Sequence, residues 1–69
     1  MKNTILRLPA VKQSTGLSRS TIYLRVAQGT FPRPVSLGGR SVGWLEHEVD
    51  EWVQKRIDES RKALGLSGR

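Results

Sequence analysis

The stretch Thr15-Gly16-Leu17-Ser18-Arg19-Ser20-Thr21-Ile22-Tyr23 does most to limit what this chain can fold into. Gly16 can adopt the left-handed backbone that stops a helix sharply. Leu17 is apolar and can pin the turn to a core. Ser18 is a good N-cap, because its hydroxyl accepts from the free amides of a new helix. Arg19, Ser20, Thr21 and Tyr23 then place a cation, two hydroxyls and a phenol within one and a half turns. The pattern reads as the turn of a helix-turn-helix followed by the start of an outward-facing second helix.

The remaining punctuation completes the frame. Met1–Leu8 reads as a lead-in, with Ile5, Leu6 and Leu8 available for packing. Pro9 suits the first turn of a helix, where its missing N–H costs nothing, so helix 1 is expected over about 9–15. Its apolar stripe, Ala10 and Val11, is thin. Helix 2 is expected over about 19–28, with Gly29 as its left-handed stop. At about 100° per residue, Ile22 and Val26 define the buried side and Ser20 and Leu24 point almost opposite. Arg19 and Tyr23 lie on one flank, Thr21 and Arg25 on the other. Thr30-Phe31-Pro32-Arg33-Pro34 is a stiff connector, with Phe31 expected to pack back. Val35–Leu37 and Val42–Trp44 alternate and are joined through Gly38-Gly39-Arg40-Ser41. They predict a two-stranded hairpin over 35–37 and 42–44. A lone hairpin is not stable in water, so Val35, Leu37, Val42 and Trp44 are expected to dock on the helices. Helix 3 is expected over about 46–60. Leu45, Val49, Trp52, Val53 and Ile57 form its stripe, and Glu51 and Lys55 form an i,i+4 pair.

The order helix, turn, helix, hairpin, helix predicts a winged helix-turn-helix: mainly α, with a small β-hairpin as the wing. Residues 1–60 form the domain and 61–69 a basic, disordered tail. A chain of 69 residues buries only roughly 60% of its unfolded surface. It is better suited to presenting a surface than to enclosing a catalytic cavity. There are no cysteines, which excludes a disulfide frame and a thiolate metal site. No apolar run approaches the ~18 residues of a membrane span. A cytoplasmic, nucleoid-associated location is expected.

Charge is distributed unevenly. Residues 1–45 carry Lys2, Arg7, Lys12, Arg19, Arg25, Arg33 and Arg40 and no carboxylate. Residues 46–69 carry Lys55, Arg56, Arg61, Lys62 and Arg69 against Glu46, Glu48, Asp50, Glu51, Asp58 and Glu59. Soluble surfaces usually intersperse both signs. An acid-free segment containing the turn, helix 2 and the hairpin points to a face that meets a polyanion. The candidate DNA-binding residues are therefore Ser18, Arg19, Ser20, Thr21, Tyr23, Leu24 and Arg25 on helix 2, with Gly39, Arg40 and Ser41 at the hairpin. Leu24, apolar on the outward side, is either an ordinary exposed leucine or a contact for a thymine methyl group. His47 has no second metal ligand at useful spacing. Gly38-Gly39 lacks the Gly-Lys-Ser/Thr ending of a phosphate loop, and Trp44 and Trp52 read as core. No catalytic constellation, metal site or cofactor is expected.

Several segments also resemble one family. They are Ile5–Pro9, Thr15–Tyr23, Gly29–Val35 and Leu37–Leu45, continuing through Glu46, Glu48, Val49 and Trp52-Val53. In that order they are similar to the AlpA-type prophage regulatory proteins over about residues 4–57. The resemblance implies a small MerR-like winged helix in bacteria, phages or integrated elements. It also implies activation of an integrase gene, or action as an excisionase that bends DNA and directs recombination. This chain has Tyr23-Leu24-Arg25 where relatives tend to have Tyr-Arg-Leu, and Lys12 and Ser14 where they often have leucines. The expected partner is double-stranded DNA, bound by a monomer that acts cooperatively on repeated sites, with integrase or RNA polymerase as a protein partner. The acidic outer face of helix 3 is one surface for such a contact. The alternative from another class is a protein-interaction module, such as an antitoxin or an inhibitor of a host regulator.

Overall fold

The computed structural model describes residues 3–63. They form, in order, β1 (Ile5–Leu6), α1 (Leu8–Thr15), α2 (Arg19–Gln28), β2 (Val35–Gly38), β3 (Ser41–Leu45) and α3 (Glu46–Ala63). The architecture is a winged helix-turn-helix, mainly α.

The glycine stops lie where the chemistry asks for them. Gly16 has φ 74° and donates its N–H to the Lys12 carbonyl. Gly29 has φ 77°, with Gly29 N–H bonded to the Val26 carbonyl and Thr30 N–H to the Arg25 carbonyl. That pair of bonds is a Schellman closure, which satisfies carbonyls that a helix end would otherwise leave bare. The Thr15 hydroxyl adds a local brace: it donates to the Val11 carbonyl at 2.8 Å and accepts from the Leu17 amide at 3.2 Å. The turn between α1 and α2 is thus held on both sides of its glycine.

One fully or nearly fully buried hydrophobic side chain comes from each of five segments: Val11 of α1, Ile22 of α2, Phe31 of the connector, Trp44 of β3 and Val49 of α3. Leu6, Leu8, Leu17, Val26, Val42, Trp52 and Val53 pack around them. So small a core needs every element at once, which is the behaviour expected when little surface is buried. Both indoles also anchor the connector. Trp44 Nε1 donates to the Pro32 carbonyl at 3.0 Å, and Trp52 Nε1 donates to the Thr30 carbonyl at 2.6 Å. Phe31 meets the Trp52 ring edge to face, with centroids 4.8 Å apart.

The sheet is larger than the expected hairpin. Its order is β1-β3-β2, with β3 paired antiparallel to both neighbours. Ile5 pairs with Leu45 and Leu6 with Trp44. Glu46 N–H extends the contact to the Thr4 carbonyl at 2.8 Å. The lead-in is therefore an edge strand, too short to show a period of two. Gly43 explains how β1 comes so close. A Cβ at that position would collide with Ile5 Cγ2 and lie 3.0 Å from the Leu6 carbonyl oxygen.

Other expectations are corrected. Leu37 does not dock on the helices: the ladder shifts between Ser36 and Gly38, and Leu37 is 45% exposed. Leu45 ends β3 rather than opening the stripe of α3, of which Val49 alone is buried. Helix α3 continues to Ala63, taking in residues 61–63, while 64–69 lie outside the described residues. Among the described residues the ion pair on α3 joins Arg56 to Glu59, not Glu51 to Lys55.

Replacing Gly43 with alanine should destabilise the fold by about 1–3 kcal/mol, the usual cost of overpacking a filled site. Urea denaturation followed by tryptophan fluorescence would measure it. An unchanged midpoint would show that β1 does not need this close crossing.

Candidate nucleic-acid interface

The N-terminus of α2 is built by three hydroxyls. Ser18 has extended backbone, φ −76° and ψ 163°, and its Oγ accepts from the Thr21 amide at 3.3 Å. The same hydroxyl donates to Thr21 Oγ1 at 3.0 Å and lies 3.3 Å from Ser20 Oγ. No acidic residue occupies the first turn. The partial positive charge of the helix end is therefore left for an external anion. The amides of Arg19 and Ser20, ahead of the first intrahelical bonds, point the same way.

The outward face of α2 divides into positions with and without an internal role. Ser20 and Leu24 are exposed, Leu24 at 56%. Arg19 places its guanidinium over the Tyr23 ring, 5.7 Å from the centroid. Tyr23 is 38% exposed and meets buried Trp44 edge to face, with centroids 6.1 Å apart. A stack thus runs from an exposed cation on α2 to the central strand of the sheet. Thr21 is half-buried, with its hydroxyl engaged by Ser18.

Arg25 takes a different course. It lies about 60° from Ile22 on the helical projection, given about 100° per residue, so it flanks the core rather than the outward face. It is half-buried and lines a cleft against α3, together with Thr15, Leu17, Trp52, Val53, Arg56, Ile57, Ser60 and Arg61. Its Nε is buried without a hydrogen-bond acceptor among the described residues. Arg56 and Arg61 share that cleft. No local sequence signal marks the cleft, because Arg25 and Arg61 are brought to it only by the fold.

The hairpin tip is sharply defined. Gly38 pairs with Ser41 across the turn. Gly39 has φ 57°, and Arg40, like every other non-glycine residue described, has negative φ. Positive φ at the first central position alone is the requirement of a type II′ turn, whose twist suits a hairpin. Ser36 Oγ accepts from the Gly38 amide at 3.3 Å, within the bulge. Gly39 and Arg40 are exposed and Ser41 is half-buried. The tip is therefore a fixed backbone loop carrying one outward guanidinium.

Among the described residues no group of His, Asp and Glu is placed to hold a metal ion. No helix among them is long and apolar enough to cross a membrane.

The family model described as "Prophage CP4-57 regulatory protein (AlpA)" matches residues 4–57. The chain belongs to the AlpA family. That family is one of regulators, not of enzymes. The chain is 50% identical over 58 residues to the "DNA-binding transcriptional activator AlpA" of Escherichia coli strain K12, covering 75% of this chain and 83% of that protein. It is 54% identical over 52 residues to the uncharacterized protein ORF88 of Enterobacteria phage P4. That match covers 75% of this chain but 59% of the phage protein. In this AlpA-family chain the matched region takes in the turn, α2, the connector, the sheet and most of α3.

Ser18→Ala should cost about 1 kcal/mol of stability, the typical loss for an N-cap. Thermal melting by circular dichroism would register it. A Ser18→Asp variant should retain most of the lost stability, since Asp caps as well as Ser, and no difference between the two variants would count against a capping role.

Proposed function

We propose that the protein binds double-stranded DNA sequence-specifically and regulates transcription in a prophage or integrated element. The observation that carries this reading is the build of α2: an uncompensated helix N-terminus ringed by Ser18, Arg19 and Ser20, inside a stretch without a single carboxylate. In a helix-turn-helix the second helix enters the major groove with its N-terminal residues at the base edges. The name of the E. coli relative, a DNA-binding transcriptional activator, supports the same reading.

The residues divide by task. Ser18 orients the helix end toward phosphate, and Arg19 supplies charge from a position steadied by Tyr23. Ser20, Thr21, Tyr23 and Leu24 position the helix or meet base edges. Gly39, Arg40 and Ser41 form the wing tip, where Arg40 meets the backbone or an adjacent minor groove. Arg25 contributes to the field that attracts DNA, from its seat beside α3. The protein binds as a monomer, cooperatively where sites are repeated. Its regulatory target is an integrase gene, reached through contact with RNA polymerase. Action as an excisionase, in contact with integrase, is the form of this reading in which the attachment site is bound instead.

Gel shifts on DNA upstream of the nearest integrase gene and on the element's attachment site separate these two forms. Affinity should fall with salt at a log–log slope of about −0.9 per phosphate contact. A flat salt response would overturn the reading. Arg40→Ala should weaken all duplexes to a similar extent. Leu24→Ala should change preference at one or two base pairs, costing about 1–3 kcal/mol at the preferred site. Selection from random duplexes measures this, and an identical motif for both proteins would remove Leu24 from base recognition.

A further inference from the structure

The cleft between the α1–α2 turn and the second half of α3 combines apolar and cationic side chains in a way that the outward face of α2 and the wing tip do not. Leu17, Val53 and Ile57 supply an apolar floor, with Trp52 at one side. Arg25, Arg56 and Arg61 supply guanidiniums at its walls, and among the described residues no carboxylate lines it. Its volume is about 560 Å³. Arg56 is already engaged, stacked over the Trp52 ring at 5.8 Å and paired with Glu59. Arg25 and Arg61 make no ion pair among the described residues. Among the described residues Arg25 Nε is buried there without an acceptor, and a buried donor left unmade is costly.

We infer that this cleft docks an acidic, amphipathic helical segment of a partner protein. Its apolar side chains rest on Leu17, Val53 and Ile57, and its carboxylates meet Arg25 and Arg61. Charge complementarity selects an acidic occupant, because a guanidinium offers a planar fork that matches a carboxylate. The apolar floor selects a peptide over a bare phosphate, which would leave Leu17, Val53 and Ile57 uncovered. An apolar helix face in a groove is a recurrent mode of peptide recognition. The site also lies off the outward face of α2: Arg25 is about 100° from Leu24 on the helical projection. The same molecule thus holds DNA on one face and the partner segment on another.

The test uses the full chain, labelled with ¹⁵N, and a designed helical peptide with leucines on one face and glutamates on the other. Controls are the same peptide with every Glu replaced by Gln, and a non-specific DNA duplex. The acidic peptide should bind saturably, shifting the Trp52 indole and Arg25 Nε–H resonances while leaving Ser20 and Leu24 unmoved. The Gln peptide should bind at least tenfold more weakly. Arg25→Gln and Ser60→Asp should each weaken the acidic peptide about tenfold. Ser60 is exposed, so that variant reads the cleft without burdening the core. DNA should shift α2 and the wing but not the Arg25 Nε–H, and it should not displace the peptide. Absence of saturable binding overturns the proposal. So do shifts centred on Ser20 and Leu24, or equal binding of the Gln peptide. Protection of Arg25 Nε–H by DNA would assign the cleft to phosphate and overturn it as well. Failure of DNA to bind would leave the peptide result standing, so the two proposals fail separately.

Discussion

The two indole hydrogen bonds to the connector hold this protein in its working shape. Trp44 reaches from β3 and Trp52 from α3, and they take the carbonyls of Pro32 and Thr30, on either side of Phe31. The segment between them cannot form a helix, because two prolines interrupt it. It nevertheless carries the chain directly from α2 into the wing strand β2. With both carbonyls held and Phe31 inserted between them, α2 leaves its glycine stop in one direction. The wing then starts at a fixed place relative to it. The Tyr23–Trp44 contact closes the same loop from the other side. Helix, connector and sheet therefore share one aromatic junction, which is also part of the buried core.

Local signals reveal the parts of this fold that depend on local chemistry. Gly16 and Gly29 could be read from sequence because a left-handed residue after a helix is a demand that few other residues meet. The Ser18 cap and the glycine turn of the wing were legible for the same reason. The strand β1 was not, since two residues cannot display an alternation. Its partner β3 shows the need only through Gly43, which in sequence looks like one more loop residue. Leu37 followed the alternation on paper, but a bulge between Ser36 and Gly38 carries it outward. The Trp52 side chain was read correctly as packing, yet its hydrogen bond to Thr30 spans a separation that no periodicity reports.

The candidate site divides along the same line. Ser20, Leu24 and Arg40 are exposed as expected from the helical projection and the turn. Arg25 is the informative departure in placement: a flank position on the projection became the wall of a cleft once α3 packed alongside. Its neighbours Arg56 and Arg61 lie some thirty residues further along the chain, so only the tertiary structure could gather the three guanidiniums. Charge counted along the sequence found the acid-free segment but not this second, cross-chain grouping.

Leu24 has a further consequence. It is exposed and stands outside the packed cluster, whereas Ile22 and Tyr23, the two residues before it, are tied to the frame. A position with an outward view and no structural duty can be exchanged freely without a loss of folding. Under the proposed recognition role, an exchange at Leu24 alters the surface offered to DNA while the contacts that orient α2 stay as they are.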